Sequence, residues 1–156
     1  AIATAAHVRR FLESSSPRQY SFLRGGALGW GMPAAVGVSL GLGRAPVVSL
    51  VCDGSALYSI QSLWTAANHK LPLTFIIVNN GGYRIIKQRL LAFHGDDHYV
   101  GMDFVDPPVD FTGVARSLGL EATKVTDPGQ LKSVLSAAIG RPGTKLIEVV
   151  VSNSVN

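Results

Sequence analysis

Three residues have types and a spacing that could do chemistry together: Asp53, Ser55 and Asn80. Asp53 stands in Cys52-Asp53-Gly54-Ser55 and Asn80 in Asn79-Asn80-Gly81-Gly82, 80 − 53 = 27 positions further on. Asp53 offers a carboxylate, Asn80 an amide oxygen, and the glycines their backbone carbonyls. These are hard oxygen donors, suited to Mg2+ or Ca2+ rather than to zinc. A helix starting at Ser55 would add backbone N–H groups that favour a phosphate. Together they describe a place for a metal-bridged diphosphate. Asp-Gly alone carries no signal and would suit any polar loop. The two clusters at this spacing do carry one.

The elements that must position them lie in residues 46–83. Val47, Val48, Leu50 and Val51 form a short β-branched run, as expected of a strand buried on both faces of a parallel sheet. Ser55 is the expected N-cap of a helix from Ala56, whose Leu57, Ile60, Trp64 and Ala67 share one face. A second strand, Leu73 to Val78, ends at the Asn pair. A right-handed crossover puts both polar clusters at the carboxyl ends of neighbouring strands, where open α/β sheets bind ligands.

The flanking chain continues the alternation. Thr4 to Ser14 reads as a helix with Val8, Phe11 and Leu12 inward, then a Ser-Pro linker and a short strand from Tyr20 to Leu23. Pro33 fits the first turn of a helix reaching Leu42, whose small residues predict close packing on every side. Tyr83 to Phe93 reads as helix, and Asp110 as the cap of a helix ending at Gly119. Glu121 to Val125 and Lys145 to Val151 read as strands, with a helix from Pro128 to Ile139 between them. The whole predicts one domain over residues 1–156, a three-layer α/β/α arrangement on a mostly parallel sheet of about five or six strands.

Composition excludes several classes. With 47% hydrophobic and 15% charged residues, the chain can bury a core. No apolar run is long enough to span a bilayer, so no membrane role is expected. A single cysteine permits no internal disulfide and fits a reducing, cytoplasmic setting. The net charge of +4, with Arg84, Lys87 and Arg89 grouped, reads as a solvated helix face; no aromatic-basic interleaving points to nucleic acid. His94 and His98 frame a polar loop rather than a metal site, and Cys52 reads as a structural thiol. Trp30, Trp64 and Phe75 read as core. Gly29-x-Gly31-x-x-Ala34, with Asp53 after the next strand, matches a dinucleotide fingerprint, but that reading leaves the Asn pair unexplained.

Asp-Gly-Ser followed by Asn-Asn at this distance resembles the diphosphate motif of thiamine-diphosphate enzymes, with Cys52 where the motif's first Gly is expected. The resemblance covers nearly the whole chain and is to the C-terminal, diphosphate-binding domain of the pyruvate-oxidase and decarboxylase group. The stretch Gly54-Ser55-Ala56-Leu57-Tyr58 and the Gly81-Gly82-Tyr83 run are most similar to benzoylformate decarboxylases. Acetohydroxyacid synthases, which are carboligases, are similar but typically have Phe and Met after Asp-Gly-Ser.

The resemblance implies thiamine diphosphate and Mg2+ as cofactors. It makes Asp53, Asn80 and the Gly82 carbonyl the metal ligands, Gly54 and Ser55 the diphosphate contacts, and Tyr58 and Tyr83 the lining. Gly26 would accept a hydrogen bond from the aminopyrimidine, and Leu28 would prop the cofactor in its bent shape. Phe22, Ile85 and Ile86 would face an aryl or branched 2-oxo acid. The glutamate that activates the cofactor belongs in this family to an N-terminal pyrimidine-binding domain, reached across a homodimer or homotetramer interface. No candidate for it stands here, so the resemblance implies a piece of a longer enzyme, inactive alone. Because Gly82 would act through its backbone, Gly82→Ala is expected to matter less than a change at Asp53.

Overall fold

Runs of β-branched and aliphatic residues build four strands, and the pieces between them form the helices that cover the sheet. The computed structural model describes residues 8–22, 25–95, 97–139 and 141–155. The strands are β1 (Val47–Cys52), β2 (Leu73–Asn79), β3 (Glu121–Val125) and β4 (Lys145–Val150). The helices are α1 (Gly31–Gly41), α2 (Asp53–Ala56), α3 (Ser62–Asn68), α4 (Arg84–His94), α5 (Phe111–Ser117) and α6 (Pro128–Ile139). The sheet is all parallel in the order β1-β2-β4-β3.

The pleat sorts the side chains. Val51, Leu73, Phe75, Ile77 and Leu146 pack with Met32, Ala35 and Val36 of α1, Leu63 and Ala66 of α3, and Phe111 and Ala115 of α5. The opposite face packs Val125 and Ile147 against Ala138 of α6. Helices therefore lie on both faces, as predicted for the fold class, and the central strands are the buried ones.

Several expectations are corrected. The sheet has four strands among the described residues, not five or six; residues 20–22 form none, and Leu23 lies outside the described residues. Of the helix expected over residues 4–14, residues 4–7 lie outside the described residues and 8–11 are helical, with Phe11 and Leu12 exposed rather than inward. β1 is an edge strand, so Val48 and Leu50 on its second face are exposed. α1 is buried along one side only, and Cβ atoms at Gly37 and Gly41 would meet nothing within 4 Å.

The expected single helix after Asp53 is two, separated by a turn at 57–61. This break resets the helical phase. Ala56, Leu63 and Ala66 face the core, whereas Leu57 is exposed and Trp64 is 57% exposed. Trp30 is likewise exposed, and of the three expected core aromatics only Phe75 is buried. The later elements fall where the sequence predicts. Asp110 caps α5 by accepting from Gly113 N at 2.8 Å. Gly119 follows the helix with φ +89.

Candidate functional site

β1 and β2 are adjacent and parallel, with Cys52 opposite Val78, so Asp53 and the Asn79–Gly82 loop emerge side by side. Asp53 is 1% exposed. Its Oδ1 accepts from its neighbour's amide, Gly54 N, at 2.9 Å. Its Oδ2 accepts from Asn80 N at 3.1 Å and from Gly82 N at 3.0 Å. The same Gly82 N donates to Asn80 Oδ1 at 3.1 Å. The Asp53 carboxylate and the Asn80 amide oxygen thus converge on one backbone nitrogen. None of these bonds takes up the Gly82 carbonyl.

The electrostatics are unbalanced. Burial pushes the Asp53 carboxyl above its ordinary value, and the N–H groups of Gly54, Gly82, Gly81 and Asn80 pull it back only in part. The ion pairs among the described residues, Lys87–Asp103, Lys124–Glu148 and Arg141–Glu121, do not include Asp53. A buried carboxylate with amide dipoles but no cation among the described residues, next to neutral oxygen donors, fits a small divalent cation.

The second wall is aromatic. Tyr83 packs edge-on against Phe104, with ring centroids 4.8 Å apart and planes at 79°. The ring also lies over Gly54, where a Cβ would sit 2.6 Å from Tyr83 Cε1. Burial raises the Tyr83 phenol, and the neighbouring Tyr58 side chain and the Asp53 charge add to that shift. The loop carrying Gly26 and Leu28 is tied at its end to the turn after Asp53. Gly29 N donates to Ser55 Oγ at 3.0 Å, and Ser59 Oγ donates to Gly29 O at 2.6 Å.

Ser55 is therefore not the N-cap. Cys52 holds that position without a side-chain bond, Ser55 lies within α2, and its hydroxyl serves the Gly29 loop instead. The Gly54 N–H, expected for a phosphate, is already shared with Asp53. Gly29 and Gly31 also lose their dinucleotide reading, because Gly29 is committed to Ser55 and Ser59 and no strand precedes it among the described residues.

Asp53 is hydrogen-bonded to Gly54, Asn80 and Gly82, Tyr83 lies over Gly54 and beside Tyr58, and Ser55 joins the Gly29 loop to them. Gly26 (φ +68) and Leu28 are exposed on that loop. Ile85 and Ile86, in the first turn of α4, are exposed. Phe22 instead lines a cavity of about 400 Å³ with Arg9, Leu12, Ser14 and Tyr20, and none of the Asp53 cluster lines it. Cys52 is half-buried. Among the described residues no group of three or more His, Cys, Asp or Glu is placed to hold a metal; His94 is the last residue of α4.

Sequence reasoning missed the supports. Tyr83 N donates to Met102 O at 2.9 Å, and Phe104 N donates to Gly81 O at 2.7 Å. Lys87, almost fully buried, pairs with Asp103 in that same segment. Asn79 donates to Glu148. The available signal was a charge inside an apolar pattern: Glu148 in Lys145–Val150.

Comparison with known proteins shows the family. The family described as "Thiamine pyrophosphate enzyme, C-terminal TPP binding domain" matches residues 3–149. The benzoylformate decarboxylase of Pseudomonas aeruginosa is 37% identical over 138 residues, covering 88% of this chain and 26% of that protein. The acetolactate synthase large subunit of Parasynechococcus marenigrum is 36% identical over 131 residues, covering 84% of this chain and 21% of that protein. Among solved structures, the thiamine diphosphate-dependent 4-hydroxybenzoylformate decarboxylase of Rhodococcus jostii RHA1 aligns with a TM-score of 0.75 at 33% identity, covering 83% of this chain and 24% of that one. The chain spans about a quarter of the length of the curated relatives it matches. Among the described residues no helix is long and apolar enough to cross a membrane. The chain belongs to the thiamine pyrophosphate enzyme family, in which it is a C-terminal thiamine-diphosphate-binding domain.

Proposed function

We propose that this chain anchors the diphosphate of thiamine diphosphate through Mg2+, within a 2-oxo acid decarboxylase acting on benzoylformate or a similar aryl 2-oxo acid. The observation that carries the reading is the buried Asp53 carboxylate, which has no cationic partner among the described residues and shares the Gly82 N–H with Asn80 Oδ1. Asp53, Asn80 and the Gly82 carbonyl would hold the metal, and its charge would offset the cost of burying Asp53. Gly54 and Ser55 would receive the diphosphate, and Tyr58 and Tyr83 would exclude water from it. The Gly29 anchor would set Gly26 and Leu28 against the rest of the cofactor. When bound, the cofactor supplies the nucleophilic carbon and the electron sink for loss of CO2. Ile85, Ile86 and Phe22 would give the substrate side its apolar character.

The activating glutamate and the remaining walls would come from a pyrimidine-binding domain across a homodimer or homotetramer interface. Leu28, Trp30, Tyr58 and Trp64 are each exposed, and exposed large apolar groups of this kind support such a partner. A carboligase of the acetolactate synthase kind is the second reading, favoured by the relative of that name. Products separate the two: an aldehyde for decarboxylation, a hydroxy-keto acid for carboligation.

The anchoring is tested at Asp53, the site's charged ligand. Calorimetric titration of the assembled enzyme with thiamine diphosphate, with and without Mg2+, should show Mg2+-dependent binding that weakens in both Asp53→Ala and Asp53→Asn. The Asn variant should resemble Ala more than wild type, because charge is what both lose. Wild-type affinity and unchanged Mg2+ dependence in Asp53→Ala would remove this aspartate from the metal.

A further inference from the structure

Glu148 is 0% exposed in the middle of the central strand β4. A carboxylate buried there costs stability, and an apolar residue of similar volume is often neutral or better. The pleat turns it to the same face as Leu146, and the register sets it between Ile77 of β2 and Lys124 of β3. Its Oε1 accepts from Lys124 Nζ at 3.0 Å and from Asn79 Nδ2 at 2.7 Å. Its Oε2 is buried with no hydrogen-bond partner among the described residues.

Asn79 carries the consequence into the loop. Its Oδ1 accepts from Gly81 N at 2.9 Å. A carboxylate only accepts and a backbone N–H only donates, so the amide between them has one permitted orientation. Three successive loop amides are then fixed from two sides. Asn80 N and Gly82 N go to Asp53, and the intervening Gly81 N goes to Asn79. Gly81 and Gly82 have no side chains with which to fix themselves.

We propose that Glu148, acting through the side-chain amide of Asn79, is a positioning residue that sets how the 80–82 loop presents its oxygens to a divalent cation. This rests on the metal-anchoring role proposed above and assigns a task to the first asparagine of the pair. Partners one step behind metal ligands commonly change metal affinity by about 10- to 100-fold when removed.

The experiment measures the Mg2+ concentration that half-saturates thiamine diphosphate binding in the holoenzyme carrying this chain, together with the Tm of each cofactor-free variant. Lys124 and Asn79 both donate to the same oxygen, so a Gln would keep its own oxygen there and hold Asn79 as before; Glu148→Met removes the acceptor while keeping much of the volume. Glu148→Met and Asn79→Ala should each raise the Mg2+ requirement by about tenfold. The double variant should need no more Mg2+ than Asn79→Ala alone, because the effect of Glu148 passes through Asn79. A purely structural role would lower Tm and leave the Mg2+ requirement in place. An unchanged requirement in Glu148→Met, or effects that add in the double variant, would overturn the inference. Should Glu148→Met fail to fold, an unchanged requirement in Asn79→Ala overturns it equally. Wild-type protein that binds thiamine diphosphate without regard to Mg2+ would defeat the anchoring role itself, and this inference with it. Wild type that depends on Mg2+ beside unaltered variants would defeat the inference alone.

Discussion

Gly82 shows how a backbone ligand can still forbid a side chain. A Cβ there would lie 2.3 Å from the Met102 carbonyl oxygen, a backbone atom that cannot swing aside. The expectation that Gly82→Ala matters less than a change at Asp53 therefore loses its basis, and for a steric reason rather than a positive φ. Gly82→Ala should push the 102–104 segment off the loop and impair Mg2+-dependent cofactor binding by at least as much as Asn80→Ala, read in the same calorimetric titration. Gly54 is a gentler case, because its obstacle is a ring. The Tyr83 ring is held by Phe104, so Gly54→Ala should cost about 1–3 kcal/mol by overpacking, measured by denaturant unfolding. Adding Tyr83→Ala to Gly54→Ala should recover part of that specific loss.

At the scale of elements, the break between α2 and α3 decides which residues are core. Leu63 is fully buried and Trp64 is mostly exposed. In unfolding experiments on this chain, Leu63→Ala should cost about 2–5 kcal/mol. Trp64→Ala should stay within about 0.5 kcal/mol, as for ordinary surface positions. The reverse ranking would restore the helix face expected from the sequence. The start of α5 gives a pH-dependent prediction. The Gly113 N–H, and then the Thr112 hydroxyl, hold the Asp110 carboxyl below its ordinary value of 3.8. A depressed folded value means that the stabilising contribution is present above the unfolded value and lost as pH falls through the folded one. The Tm gap between wild type and Asp110→Ala should be constant near neutrality and close on acidification below about 4.

At the scale of the molecule, the proposed function gives this chain anchoring and orientation and assigns the activating acid to a partner domain. The chain alone should show no decarboxylase turnover with thiamine diphosphate and Mg2+, and addition of the pyrimidine-binding domain should restore it. Aldehyde release from the 156 residues alone would place the activating acid within this chain.

The sequence by itself determined the four strands and the helices from α4 onward, the parallel connection of β1 to β2, and the meeting of Asp53 with Asn80. Each of these follows from local periodicity plus the handedness of a β-α-β crossover, which need no knowledge of distant residues. The cap at Asp110 was equally legible, because a cap is a contact within one turn. Only the tertiary structure decided the rest. Whether Val48, Leu50 or Trp64 is covered depends on what lies across the sheet or helix, and an edge strand has the same apolar pattern as a central one. The hydroxyl of Ser55 could cap its own helix or hold Gly29, and the choice falls to a loop 55 − 29 = 26 positions away. Asn79 and Glu148 are separated by 69 positions, and neither residue type names the other. Their pairing exists because β2 and β4 lie side by side in register, so the support of the site was written in the sheet order rather than in the motif.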